Sequence, residues 1–331
     1  MATNTFARGL LFGAAAFGAL AGSALSASAQ EVLNIYTTRE PGLIKPVLDE
    51  FTKETGIKVN TIFINNGLEE RIRTEGANSP ADVIITVDIG RLAAAKDYGV
   101  TQAVKSEALE KVIPADYRDP EGHWFGIALR GRVVYASKER VKQEAMSYEE
   151  LADPKWKGKI ASARADNSGS SFQQIMTVLT VFGDQGWAKY GEIAKNFVLT
   201  DSSGSVPRYV ADGETPLGLT LEDNALEYKA GGAQVKIAYL SDGTTASPDG
   251  VALVKGAPNA ENGKKFIDWA LSKKTQELLV KEAGRRSVRT DVAGPGDLPA
   301  LSSLKLVELK SVEELGGTQA ILEKWRKAVG Q

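Results

Sequence analysis

Three short segments concentrate the groups that could hold an anion. They are Thr37-Thr38-Arg39, Asp166-Asn167-Ser168-Gly169-Ser170-Ser171 and Thr200-Asp201-Ser202-Ser203-Gly204-Ser205. The second runs into an apolar-periodic stretch from Phe172. Its backbone N–H groups therefore open a helix and lack carbonyl partners, which suits an oxyanion. The same residues would also serve as an ordinary helix cap. Hydroxyl-rich turns with an arginine fit a tetrahedral oxyanion held by many short hydrogen bonds. A fourth segment, Thr220-Leu221-Glu222-Asp223, follows an apolar run. Its carboxylates either meet a cation or sugar hydroxyls, or simply favour the positive start of a helix.

Composition narrows the chemistry. The 331-residue chain has no cysteine and one histidine, His123. Disulfides, thiolate metal sites and histidine-clustered zinc are excluded. A Ser-His-Asp hydrolase would have to use His123, and no nucleophile motif accompanies it. Lys+Arg number 40 against 42 Asp+Glu, a net charge of −2, so no basic excess exists to hold nucleic acid. Hydrophobic residues at 43% and charged residues at 25% are those of a globular chain.

The elements that position these segments follow from periodicity. Val32 to Tyr36 reads as a strand, and Pro41 opens a helix carrying Leu43, Ile44, Val47, Leu48 and Phe51. A strand at Lys58–Ile64, a helix at Leu68–Glu75, a strand at Val83–Ile85 and a helix at Asp88–Tyr98 continue the α/β alternation of a parallel sheet. Phe125 to Ala136 is a long extended stretch containing Arg130 and Arg132. The pattern then restarts, with strands at 160–163, 216–221, 234–239 and 250–254. Helices are expected at 168–182, 186–196, 222–229 and 261–271, and the C-terminal end reads as helical at Val312–Leu315 and Ile321–Val329. Two lobes are the expectation, with ligand loops at the carboxyl ends of strands. The N-terminal Arg8, the apolar run Gly9–Leu25 and Ala27-Ser28-Ala29 predict a signal peptide over 1–29, cleaved after Ala29.

Four motifs carry a family likeness: Ser79-Pro80-Ala81-Asp82-Val83, Trp124-Phe125-Gly126, Arg130-Gly131-Arg132-Val133-Val134-Tyr135 and Leu151-Ala152-Asp153-Pro154-Lys155-Trp156-Lys157-Gly158-Lys159-Ile160. With them the chain resembles the ferric-binding branch of periplasmic solute-binding proteins. The C-terminal half, through Asn167–Ser170, Val210–Glu214, Gly218–Asp223 and Pro248–Ala252, is similar to the hexose-phosphate and aminoethylphosphonate binders. The resemblance implies an α/β fold of the two-lobed type II periplasmic binding kind. Each lobe would be a mainly parallel sheet flanked by helices. Two crossover hinge strands, near Leu129–Val134 and Ala238–Gly250, would join them. Lobe 1 would be 30–130 plus 245–331, and lobe 2 would be 131–244. It further implies a monomer in the periplasm that delivers a small anionic ligand to an inner-membrane ABC permease and ATPase complex. It implies no cofactor, no nucleic acid and no bond chemistry.

A small organic phosphate or phosphonate is the leading expectation. Its candidate ligand-binding residues are Thr37, Thr38, Arg39, Asp88, Ser168, Gly169, Ser170, Ser171, Ser202, Ser203, Thr220, Glu222 and Asp223. The alternative is ferric iron on Tyr36, Glu40 and Asp88. Iron-type members carry adjacent tyrosines where this chain has Gly218–Asp223, so the iron site would be short of phenolates.

Overall fold

The computed structural model describes residues 31–331, apart from Glu40, Asn65, Asn66, Glu144 and Ala145. The expected signal peptide and the Glu40 assignment fall outside the described residues. The first half alternates β1 (Val32–Thr37), α1 (Pro41–Thr55), β2 (Lys58–Phe63), α2 (Leu68–Glu75), β3 (Val83–Thr86) and α3 (Ile89–Asp97). Short β4 (Thr101–Gln102) and α4 (Glu107–Val112) lead to the 13-residue β5 (Phe125–Ser137). Next come α5 (Tyr148–Leu151), β6 (Ile160–Ala163), α6 (Gly169–Phe182), α7 (Gly186–Ala194), β7 (Phe197–Thr200) and α8 (Val206–Ala211). The chain continues through β8 (Leu217–Leu221), α9 (Glu222–Ala230), β9 (Val235–Ala238), β10 (Ala246–Val254), α10 (Ala260–Ala270), α11 (Lys273–Ala283) and α12 (Thr318–Ala328).

Strands β2, β1 and β3 pair in parallel, as do β7, β6 and β8. The two parallel sets are linked through β10 and β5, giving the order β2-β1-β3-β10-β5-β8-β6-β7. The first half of β5 pairs with β10, and its second half pairs antiparallel with β8 and β9. One continuous strand thus serves both sheets. Strand β10 returns antiparallel beside it, and their register shifts between Asp249 and Gly250. Such a bulge bends the strand and re-aims the neighbouring side chains.

The apolar periodicity explains the packing. Phe51 of α1 and Phe266 of α10 meet edge to face at 5.1 Å in the core beside β1 and β3. Asp82, fully buried, accepts the backbone N–H groups of Asn34 and Asn259, both at 2.7 Å, and so joins β1 to the start of α10. A second core collects Val134, Ile160, Ile175, Leu179, Tyr190 and Leu217. Ile321 and Trp325 of α12 belong to this second core, and α12 packs on α7. We therefore propose lobe boundaries that follow the expectation of 30–130 plus 245–331 and 131–244, but with α12 moved to the second lobe.

Most expected elements form. The expected helix at Val312–Leu315 is instead a turn, because Gly316 and Gly317 follow at positive φ, a geometry that breaks a helix. Strand β7 and helices α8 and α11 exceed the expectation. The first two have four and six residues, too few to display a period. Trp325 is fully buried, with the Arg164 guanidinium over its ring at 5.6 Å. Replacing Trp325 by alanine should lower unfolding stability by about 3–5 kcal/mol. Urea titration followed by far-UV circular dichroism measures it, and a wild-type midpoint would mean that α12 is not integral to the core.

Candidate functional site

The carboxyl ends of β1, β3, β6, β7 and β8 and the segments that follow them carry the candidate residues, together with the crossover strands. Arg130 and Arg132 lie two residues apart on β5, so both point to one face. Gly131 between them approaches the Glu222 carboxylate so closely that a β-carbon there would overlap it. That close approach accounts for glycine at this position.

Glu222 begins α9 and is 1% exposed. Its oxygens accept from Gly131 N–H at 2.9 Å, from Arg286 Nε at 2.8 Å and Nη2 at 2.8 Å, and from the Tyr239 hydroxyl. The carboxylate expected to face a ligand is therefore enclosed and holds the crossover together. Asp223 beside it pairs with Arg285 at 3.2 Å, and its Oδ1 is buried without a partner.

Asp249 on β10 is the centre of a second cluster. Its buried carboxylate accepts from Arg39, from Arg130 at 2.8 Å and from Arg285. Burial pushes this carboxyl up, but the charges of Arg130, Arg39 and Arg285 more than offset it, and the net shift is downward. Burial lowers Arg39 to about 9, partly restored by Asp249. Asp88 caps α3, accepting the Arg91 N–H at 3.0 Å. Burial, aided by the Asp249 charge, raises its pKa although that N–H opposes.

Arg132 differs from all of these. It is 4% exposed and no carboxylate lies within salt-bridge distance of it among the described residues. Nη1 donates to Ser170 Oγ and Nη2 to Gln173 Oε1, both at 3.2 Å. Its Nε is buried without a partner. Burial pulls its pKa down to about 10; the nearby Tyr148 opposes that and Arg130 adds to it. A buried cation without a counter-charge is costly, so an anion arriving here would relieve it.

The cation sits under the first turn of α6. Ser168 caps that helix by accepting the Ser171 N–H at 3.3 Å. The N–H groups of Gly169 and Ser170 have no helical carbonyl in reach. Gly169 is exposed with open space around it, while Ser170 is half-buried against Arg132. Arg132, Gly169 and Ser170 thus form a compact donor set for an oxyanion.

The remaining expected residues have other partners. Thr37 Oγ1 accepts from Arg39 N–H at 2.9 Å, and Thr38 Oγ1 from Val87 N–H at 3.0 Å. Ser171 donates to the Ala163 carbonyl at 2.7 Å. Ser202 bonds Ser205 within an exposed turn, and Thr220 donates to the Ser203 carbonyl at 2.8 Å. Tyr36, named for iron, is 1% exposed, and its hydroxyl donates to Glu75 at 3.0 Å. Burial, then the Glu75 hydrogen bond and charge, raise its pKa and disfavour the phenolate. Among the described residues no group of three or more His, Cys, Asp or Glu is placed to hold a metal ion. His123 Nδ1 lies 2.8 Å from Thr101 Oγ1.

Sequence reasoning missed Arg132, Arg130, Asp249, Arg285, Arg286, Gln173 and Tyr239 as site residues. Two arginines at i and i+2 in an otherwise apolar strand were a readable signal, since such a strand buries charge only for a reason.

Two α/β sheets joined by crossover strands, with binding loops at the strand ends, define a two-lobed solute-binding protein. The chain belongs to the bacterial extracellular solute-binding protein family, whose model matches residues 78–308. It is the solute-binding component of an ABC importer, handing a small ligand to a membrane permease complex. It is 37% identical over 270 residues to Iron uptake protein A1 of Synechocystis, covering 76% of this chain and 74% of that one. It is 29% identical over 270 residues to a putative 2-aminoethylphosphonate-binding periplasmic protein of Salmonella paratyphi A, covering 75% and 74%. The solved structure of Pasteurella haemolytica apo ferric ion-binding protein A superposes with a TM-score of 0.77 at 28% identity, covering 90% of this chain and 98% of that one. The second and third of these are named as binding proteins, and no helix among the described residues is long and apolar enough to cross a membrane.

Glu222→Gln should destabilise the protein by about 3–5 kcal/mol, because it leaves the buried Arg286 without its counter-charge. Chemical denaturation tests this; a loss under 1 kcal/mol would mean the pair is replaceable. Asp249 adds an acid sensitivity. Its folded pKa is depressed, so its stabilisation is complete above the unfolded value of about 3.9 and is lost as pH falls through the folded value. The stability lost between pH 6 and pH 3 should be smaller in Asp249→Asn than in wild type, as read by urea midpoints at both pH values.

Proposed function

We propose that this protein captures ferric iron as an anionic chelate of a small oxyacid, seating one oxyanion group of the chelate on Arg132 and the first turn of α6. The carrying observation is the buried Arg132 guanidinium with no carboxylate beside it. The sequence put an organic phosphate first and iron second. The relatives favour the reverse order, since 37% identity to an iron uptake protein exceeds 29% to a phosphonate binder. Bare ferric ion fits the residues poorly. It is a hard cation that wants phenolate and carboxylate oxygens, whereas Tyr36 is bonded to Glu75 and the free charge is positive. Iron already wrapped in anionic oxygens presents the opposite charge to the site.

The second reading is a phosphonate or phosphate ester on the same donors. It is favoured by the phosphonate-binding relative and by the hydroxyls of Ser168 and Ser170 at the helix start. In either reading the lobes close on the ligand by hinge motion and no bond is made or broken. The N-terminal leader would send the protein to the periplasm, where it acts as a monomer.

A thermal-shift screen with ferric citrate, citrate, aminoethylphosphonate, hexose phosphate and inorganic phosphate separates the readings. A ligand at ~100 times its dissociation constant stabilises by about 2.7 kcal/mol. A shift with ferric citrate that exceeds the shift with citrate supports the iron chelate. A shift with phosphonate or hexose phosphate and none with iron selects the second reading. Arg132→Gln should weaken whichever ligand binds by roughly 10- to 150-fold, the loss of one charge-assisted hydrogen bond. Unchanged affinity would remove Arg132 from the site.

A further inference from the structure

Arg39, Arg130 and Arg285 converge on one carboxylate, although a site that carries an anion has every use for arginines of its own. Asp249 is 2% exposed and accepts from all three. Arg130 sits two residues from Arg132 on the same face of β5, about 7 Å along the strand. Arg130 is therefore a second cation on the face of β5 that carries Arg132. Its Nε is buried without a partner, so Asp249 does not exhaust its donors. Asp249 stands at the register shift between β10 and β5, where the strand geometry is locally re-aimed.

We propose that Asp249 is a resident counter-anion that withholds Arg39 and Arg130 from the ligand, and so restricts the site to cargo with one oxyanion head, seated on Arg132. An intramolecular carboxylate is always present at high effective concentration, so a second ligand head must displace it to reach Arg130. The selectivity is thus built against two-headed anions rather than for one-headed ones. This inference rests on the reading of Arg132 as an anion seat.

The test compares inorganic phosphate, a single head, with iron-free citrate, which has several carboxylates, by calorimetry on wild type and Asp249→Asn. Released from Asp249, Arg130 should tighten citrate binding by about tenfold or more. Phosphate affinity should stay within about threefold. Equal changes for both ligands, or no citrate gain, overturn the inference while leaving the Arg132 reading intact. If neither ligand binds either protein, both fall. If Asp249→Asn does not fold, wild type alone serves: iron-free citrate should bind no tighter than acetate, a single carboxylate head, and a roughly tenfold preference for citrate overturns the proposal.

Discussion

A single buried carboxylate, Asp249, organises the middle of this molecule. Charges taken out of water must be compensated locally, and three guanidinium groups from separate parts of the chain meet this requirement. Arg39 comes from the loop after β1, Arg130 from β5 and Arg285 from the residues after α11. The ion cluster therefore dictates where the first parallel strand, the long crossover strand and the end of the eleventh helix come together. Glu222 repeats the arrangement one step further along, drawing Arg286, Tyr239 and the Gly131 backbone to the start of α9. Apolar burial drives each half to form its core. With the lobe boundaries proposed above, the Asp249 cluster lies within the first lobe, and the Arg285–Asp223 and Arg286–Glu222 pairs reach from it to the start of α9.

Against that compensated background, Arg132 stands out by subtraction. Its neighbours are a serine hydroxyl and a glutamine oxygen, both neutral, and burial, aided by the Arg130 charge, lowers its pKa. The helix start above it adds partial positive charge of the same kind. We read cation, hydroxyl and free backbone donors together as a candidate seat for oxygen anions, the class of ligand in the name of the putative phosphonate-binding relative. The iron-named relatives are reconciled with the same seat when the metal travels inside an anionic shell. Tyr36, the one phenol expected from the sequence for iron, donates its hydroxyl to Glu75 and lies under the Arg71 guanidinium, away from Arg132.

Much of the fold was legible because its strands and helices are long enough to display their periods. The α1 stripe of Ile44, Leu48 and Phe51 and the continuous apolar run of β3 could only be buried, and both are. The helix start at Ser168 was legible too, since a serine followed by glycine and an apolar period caps a helix by local chemistry alone. The site was legible in part. Ser168, Gly169 and Ser170 lie together at the candidate seat, whereas Ser171, Thr220 and Glu222 are engaged in internal hydrogen bonds.

What the sequence determined by itself is local: element type, caps, the α/β alternation, and the exclusion of thiolate metal sites and histidine-clustered zinc by the absence of cysteine and the single histidine. What only the tertiary structure decided is which charges cancel. Asp249 meets Arg39 across 210 positions, and Glu222 meets Arg286 across 64. No local pattern encodes such pairings, because they depend on where two sheets share a crossover strand. Only after those pairs are drawn does Arg132 stand apart: of the buried arginines Arg39, Arg132, Arg285 and Arg286 among the described residues, it is the one with no carboxylate in salt-bridge distance.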